Sequence, residues 1–591
     1  MADPANTLPP GGGFLVEPVG SRRIDAPEDA GDERRDFYRA ARKFALDRVL
    51  PNADRIEQKE FGLVRELLRE AGGLGFLALD IPEAHGGLAQ DLTTAVLVAE
   101  AMTVYGAWSV ILGVQNGIGV LPIVHFGTPA QQAKYLPRIA AGEIACAYAL
   151  SEASSGSDAM AARTRAERSP DGKDWILNGT KQWISNAGFA DLFIVFAQVE
   201  GKLTAFLVER GTPGFGIGPE EHKMGIRGSS TCPLSFEDAR IPADALLGEV
   251  GKGHKIAFNI LNIGRLKLGA TCVAGVRNVI GLSVAYAKER KAFGRPIAEF
   301  GLVREKIARM VALAWAGEAM SARTTGLIDR RAAAGGHARG TPEFEVDLIA
   351  AVEEYAIEAS ILKVWGSEAL GYAADEGVQI HGGYGFVEEY PIERVYRDNR
   401  VNRIFEGTNE INRLLVPGTL LRRAAKGAFP IADLARSVQA ALSGKGPEPG
   451  GGPLARERRV AELNKRLFAH ATQVAVDAFG PEVAERQEVL GALADVAIEA
   501  FAVDSAVARA LQRPHPVGEA CTRLYAEEAH QRAYGRARAA VLGAVKDPAQ
   551  AREHLARLRL LLDESPGDVT GWREAIVGPA LERGRYPLGW D

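Results

Sequence analysis

The sequence predicts a mainly helical protein with a β-domain in its middle and an extra helical domain at its C-terminal end. Three observations carry this. Apolar residues recur at spacings of three and four on both sides of residues 145–252. Short β-type runs punctuated by Gly, Pro, Asp and Asn fill that interval. A Gly/Pro-rich stretch, Ser443–Pro453, then divides the second helical region from a third. A chain of 591 residues has room for three or four such units.

Taken in order, residues 1–30 are Pro/Gly-rich, then acidic, and read as an extended arm or a disordered lead. Residues 31–144 are helical: Phe37, Ala41, Phe44 and Ala45 share one face, and so do Leu63, Leu67 and Leu68. Breaks fall at the loop after Asp80 and at Pro122 and Pro137. In 145–252 the runs WILNG, LFIVFAQV, LTAFLVE and FGIG indicate a small antiparallel β-domain. Residues 253–425 return to helical periodicity, broken by the loop Ala332–Pro342. A linker, 426–454, leads into the Ala/Leu/Arg-rich helices of 455–591, which break at Arg513–Gly518.

Composition excludes several classes. Hydrophobic residues are 47% and charged residues 25%, as in ordinary globular domains. A net charge of -5 with a pI near 6.2 argues against nucleic acid as the partner. Cys146, Cys232, Cys272 and Cys521 are scattered, so no metal site is expected and the thiols read as reduced, in a cytoplasmic protein. The N-terminus has neither the basic start nor the apolar core of a targeting segment, and no transmembrane helix is expected.

Chemistry concentrates in a few stretches. In RIFEGTNEINR, Arg403–Arg413, Glu406 stands beside Ile404 and Phe405, with Gly407 next and Thr408 or Asn409 placed to cap a helix. A carboxylate held against apolar surface has a raised pKa and suits a general base, whereas the same residue in an open turn is merely solvated. YALSEASSGSDAMAARTRA, Tyr148–Ala166, offers hydroxyls and open backbone N–H groups that suit a phosphate, or a surface turn. In LNGTKQWISNAGFAD, Trp183 could stack on a flat ring or fill a sandwich core.

Five motifs in this order, SEASSGSD, NGTKQWISNAG, ERKAFGRP, QIHGGYGF and RIFEGTNEI, resemble the acyl-CoA dehydrogenase family over roughly residues 30 to 420. The region ending in RYPLGW is similar to the C-terminal extension of its very-long-chain branch. The resemblance implies an N-terminal helical domain, a β-barrel domain, a four-helix bundle and bound FAD. By motif, the flavin contacts would be Tyr148, Leu150, Ser151, Ser157, Trp183, Ile184, Ser185, Thr408 and Glu410, although many members carry an amide at position 410. Arg290 and Phe293, with Gln379, Gly382 and Gly383, match positions that reach the adenosine half of a neighbouring subunit's flavin. The implied reaction is α,β-dehydrogenation of a fatty acyl-CoA. Glu406 takes the α-proton, the β-hydride passes to flavin N5, and electrons go on to electron-transfer flavoprotein.

Some branches of the family put the base on a bundle helix just before an Arg. Here Gly264 precedes Arg265, which leaves Glu406 as the base. Ser157, Asn262, Arg265 and Gly407 would meet the substrate. Gly117 and Gly119 lie on the helix that lines the family's acyl pocket, where medium-chain members carry a Glu at the position of Gly119, so a long acyl chain is expected. The extension implies a homodimer. Basic residues Arg456, Arg458, Arg459, Lys465 and Arg466 beside Leu454, Val460, Leu463 and Leu467 make either a peripheral contact with the inner face of a membrane or a solvated helix face. Two further readings stay open: an oxygen-using acyl-CoA oxidase, told apart by peroxide formation, and a non-catalytic assembly or nucleic-acid-binding relative.

Overall fold

In the N-terminal region, apolar spacing and capping set the helices. Asp32–Phe44, Phe61–Gly73, Leu92–Ala101, Gly106–Gly113 and Pro129–Ala140 are helical. Asp91 caps the third by accepting from the Thr94 N–H, and Thr128 with Gln131 forms a reciprocal cap on the last. Trp108, Leu67, Phe44 and Phe76 close a core of their own beneath these helices. The computed structural model describes residues 8–430 and 451–590, with 434, 436, 438, 440 and 442 between them. Most of the expected linker, and the first seven residues, lie outside the described residues.

The β-domain begins at β1 (Cys146–Ala149) and continues through β2 (Arg165–Arg168), β3 (Asp174–Ser185), β4 (Leu192–Val199), β5 (Lys202–Glu209), β6 (Phe215–Ile217), β7 (Thr231–Pro242) and β8 (Leu246–Leu247). They form one eight-stranded sheet in the order β6-β7-β3-β2-β4-β5-β8, with β1 parallel to β4. Most other pairings are antiparallel, as hairpin-length connections require, although β2 also meets β4 in parallel. Trp175, Phe193, Phe206 and Phe236 fill its core.

The bundle consists of Gly253–Glu289, Gly301–Ala333, Ala356–His381 and Asn409–Ala425. Against it lie Ala455–Phe479, Gln487–Gln512 and Pro516–Ala544, followed by Pro548–Arg559 and Val569–Arg583. The two sets share one continuous apolar core. Polar contacts pin them as well: Trp315 donates to Thr522 Oγ1 at 2.9 Å, and Trp365 to the Tyr525 hydroxyl at 2.7 Å.

Residues 8–30 differ from a disordered lead. They are a strap between bundle and extension. Phe14 and Leu15 are buried, and Phe14 packs on Phe501 at 4.8 Å between ring centres. The Gly11 and Gly12 N–H groups donate to Glu354 and Glu358, both at 2.7 Å. Lys465 donates to the Glu17 carbonyl at 2.7 Å.

The membrane-facing reading of the helix from Ala455 is corrected by the same packing. Leu454, Val460, Leu463 and Leu467 are all buried in the shared core, and Lys465 is buried beside Asp504 at 3.4 Å. The apolar face already has a protein partner. By length and composition the stretches Gly106–Phe126 and Gly253–Glu289 could cross a membrane, but 72% and 56% of their apolar windows lie inside the fold, as core helices do.

Candidate active site

Glu406 sits in the bend before the helix Asn409–Ala425. Its φ is +58° and that of Gly407 is +78°, so the chain turns through two left-handed residues in succession. Gly accepts this freely; for Glu it is strained, and the strain is held by surrounding hydrogen bonds. The Thr408 side chain caps the helix by accepting from the Ile411 N–H at 3.3 Å. Asn412 donates to the carbonyls of Gly407 and Thr408 at 2.9 and 3.0 Å. Lys363, from the neighbouring helix, donates to the Gly407 carbonyl at 2.7 Å and to Asn409 Oδ1 at 2.8 Å. Arg265 donates to the Glu406 carbonyl at 3.1 Å. Thr408→Ala should destabilise the fold by about 1 kcal/mol, read by denaturant unfolding.

Apart from the Lys363–Asn409 contact, these hold the backbone. The Glu406 carboxyl itself is left to the cavity, and its Oε2 has no hydrogen-bond partner among the described residues. Burial pushes its pKa up to about 7, against the opposing pull of the Arg265 and Lys363 cations. Burial likewise lowers Arg265, and brings Lys363 down to about 8.

Gly264 lies directly beneath the carboxyl. A Cβ there would stand 2.7 Å from Glu406 Oε2. The two places from which a base could act therefore compete for one volume, and this chain fills it from position 406. Gly264→Ala is expected to push the carboxyl aside and cut turnover by roughly a hundredfold with little change in unfolding temperature. A variant with wild-type kcat would show that the carboxyl is free to move.

The cavity has a volume of about 1080 Å³ and is mainly apolar. Tyr148, Leu150, Ser151, Ser157, Trp183, Ile184, Ser185, Arg265, Glu406, Gly407, Thr408 and Gly117 all line it. The pairing of β3 with β7 slips between Lys181 and Ile184, and this bulge turns Trp183, φ +58°, out of the sheet and over the cavity. The Ser/Gly loop is tied down by Glu152, which accepts from the Arg163 and Thr164 N–H groups and pairs with the fully buried Lys181 at 2.7 Å. Lys181 also donates to the Leu150 carbonyl at 3.1 Å.

Other expected positions fall elsewhere. Asn262 does not line the cavity; it accepts from Arg265 at 2.8 Å and orients that guanidinium. Glu410 is exposed on the first turn of its helix, away from the cavity. Gly119 is corrected from an acyl-pocket position to a packing one, because a Cβ there would meet Cys146 Cβ at 2.5 Å. Gly117 lines the cavity, with open space where a side chain would be. Arg290, Phe293, Gln379, Gly382 and Gly383 lie outside the cavity, at the end of the bundle. There Phe293 is 95% exposed and Phe386 85%, which leaves large apolar surface open on the single chain. Lys363, Asn412 and the Glu152–Lys181 pair are contributions that the motifs did not reveal.

Comparison with known proteins agrees with this layout. Family models match residues 31–143 (acyl-CoA dehydrogenase, N-terminal domain), 147–239 (middle domain), 251–421 (C-terminal domain) and 463–560 (a second model of an acyl-CoA dehydrogenase C-terminal domain). A probable acyl-CoA dehydrogenase of Bacillus subtilis is 42% identical over 100% of both chains. The human mitochondrial very long-chain specific acyl-CoA dehydrogenase is 37% identical, covering 76% of this chain and 70% of its own. The crystal structure of an acyl-CoA dehydrogenase from Bacillus anthracis, complexed with FAD, superposes with a TM-score of 0.94 at 42% identity over 98% of this chain and 99% of that one. Matched from its N-terminal helices to its last helical domain, and carrying a buried carboxyl in an apolar cavity between β-domain and bundle, the chain belongs to the acyl-CoA dehydrogenase family.

Proposed function

We propose that this protein is an FAD-dependent dehydrogenase of long-chain fatty acyl-CoA thioesters, forming the trans-2-enoyl-CoA. The observation that carries this reading is Glu406, a desolvated carboxyl whose Oε2 has no hydrogen-bond partner among the described residues. The residues present fit a flavin. The Tyr148 hydroxyl lines the cavity without a hydrogen-bond partner among the described residues, Trp183 stands exposed beside it, and Gly156 in the Ser/Gly loop leaves open space for a phosphate-bearing ligand. Bound FAD supplies the two-electron acceptor that the side chains lack.

Within that arrangement Glu406 takes the α-proton. Its basic form is reached near neutral pH, and desolvation makes it a stronger base than an exposed carboxylate. Arg265 and Lys363, pinned to the adjoining carbonyls, fix the bend and lend positive charge to the site. The apolar walls exclude water from the acidified carbon. Family resemblance supports electron-transfer flavoprotein as the acceptor, and the exposed Phe293 and Phe386 support a homodimer in which this end of the bundle completes the neighbour's cofactor site.

The test is anaerobic bleaching of the flavin by palmitoyl-CoA. A protein that binds FAD and is not reduced by any saturated acyl-CoA would sink the proposal. The rate should rise with pH through about 7 as the Glu406 carboxyl loses its proton, and fall away on the acid side. A pH-independent rate between 5 and 9 would remove Glu406 as the base.

A further inference from the structure

The cavity that holds Glu406 extends beyond the three catalytic domains. One stripe of the helix Gly253–Glu289 lines it: Gly264, Leu268, Thr271, Gly275 and Asn278. From Gly264 to Asn278 the helix rises ~20 Å, the scale of a long acyl chain. Near that far end the wall changes. It is polar, and part of it comes from the end of the chain: Arg585, Tyr586 and Gly589 line the same cavity as the base.

This tail is fixed in place. The Tyr586 side chain is buried, and its hydroxyl donates to Glu318 Oε2 at 2.8 Å. Glu318 also accepts from Arg277 at 2.6 Å, and Arg277 donates to Glu100 at 2.7 Å. The Arg583 guanidinium curls the tail by donating to the Pro587 and Gly589 carbonyls at 2.8 and 2.9 Å. Trp590 stands edge-on against Tyr38 with ring centres 5.1 Å apart.

We propose that the C-terminal tail, Arg585 to Trp590, is the end wall of the acyl channel and sets the longest chain the enzyme accepts. The inference rests on the long-chain acyl-CoA reading of the site. Each methylene buried against the apolar wall of the cavity raises affinity roughly fourfold. A methylene that reaches Tyr586 gains nothing, because to go further it must displace the tail or enter the Glu100–Arg277–Glu318 ion network, where apolar groups would strip charged ones of their partners. The extension thereby takes part in substrate selection, although it is remote in sequence from every catalytic motif.

The test uses the full FAD-loaded protein. A Cβ at Gly589 meets only Tyr586 Cδ1, at 3.6 Å, so there is space for a larger side chain. Gly589→Phe should fill the channel end. Its kcat/KM for arachidoyl-CoA, and its affinity for the matching enoyl-CoA product by titration calorimetry, should fall roughly tenfold or more, with lauroyl-CoA unchanged. A chain ending at Leu588 should do the reverse and gain on the longest substrates. Equal effects at every chain length, or none in either variant, would overturn the tail as end wall while leaving the enzyme reading intact. A wild type that oxidises none of lauroyl-, palmitoyl- or arachidoyl-CoA would overturn that reading itself, and the inference with it.

Discussion

Glu406→Gln is expected to lower the rate of acyl-CoA dehydrogenation by roughly a hundred- to ten-thousand-fold while leaving FAD and acyl-CoA bound. The amide keeps the size of the carboxyl but cannot take a proton. Its backbone is held independently of the side chain, by Arg265 and Asn412, so the bend should survive. Stopped-flow reduction in the absence of oxygen reads the rate; flavin absorbance and enoyl-CoA titration read the binding. The substitution has a second signature. Because the folded carboxyl titrates near 7, above the ordinary carboxyl range, the native state keeps a proton that the unfolded chain has lost. Stability of the wild type therefore falls as pH rises from the ordinary carboxyl range to about 7, and is flat above it. Glu406→Gln lacks this dependence. The variant should unfold at a higher temperature than wild type at pH 8, with the gap closing near pH 5. Equal unfolding temperatures at both pH values would mean that the carboxyl is not desolvated.

Arg509→Leu is expected to cost about 3–5 kcal/mol of stability, the largest effect of any single substitution considered for the fold. Its guanidinium is fully buried and joins three parts of the chain. It donates to Glu28 of the strap at 2.7 Å and to Glu318 of the bundle at 2.9 Å, and lies 3.7 Å from the centre of the Trp315 ring. Removing it leaves the buried Glu318 with one cationic partner fewer. Urea unfolding of the FAD-bound protein checks this, and a loss under about 1 kcal/mol would show that the shared apolar core holds the extension without the ion network. Faster proteolysis within residues 8–30 should accompany the loss, since the strap is anchored there.

Much of this was legible in the sequence, for local reasons. Helix and strand types follow from apolar spacing, a short-range property. The bend at Glu406 follows from a carboxylate, a Gly and a capping Thr written side by side. The Tyr148–Ser157 and Trp183–Ser185 stretches, expected to meet the flavin, contribute residues to one cavity, each as a continuous segment. Of the two positioning cations, Arg265 was legible as a site residue and Lys363 was not. Lys363 reaches the Gly407 carbonyl only because two helices lie side by side, and nothing in its own surroundings marks it.

Other features turned on what a local pattern packs against. A Pro/Gly-rich lead looks disordered until its bare N–H groups meet Glu354 and Glu358 on another helix. A basic amphipathic helix presents the same periodicity to a membrane as to a protein core, and here Leu454, Val460, Leu463 and Leu467 face the core. A Gly can open a channel or admit a neighbour. Gly117 does the first and Gly119 the second, according to whether Cys146 stands opposite. The sequence by itself determined the order of helical and β regions and the bend that carries Glu406, because neighbouring residues specify these. The tertiary structure alone decided which faces are buried, which cations hold the bend and which distant residues line the cavity around Glu406, because each depends on groups that only folding brings within contact distance.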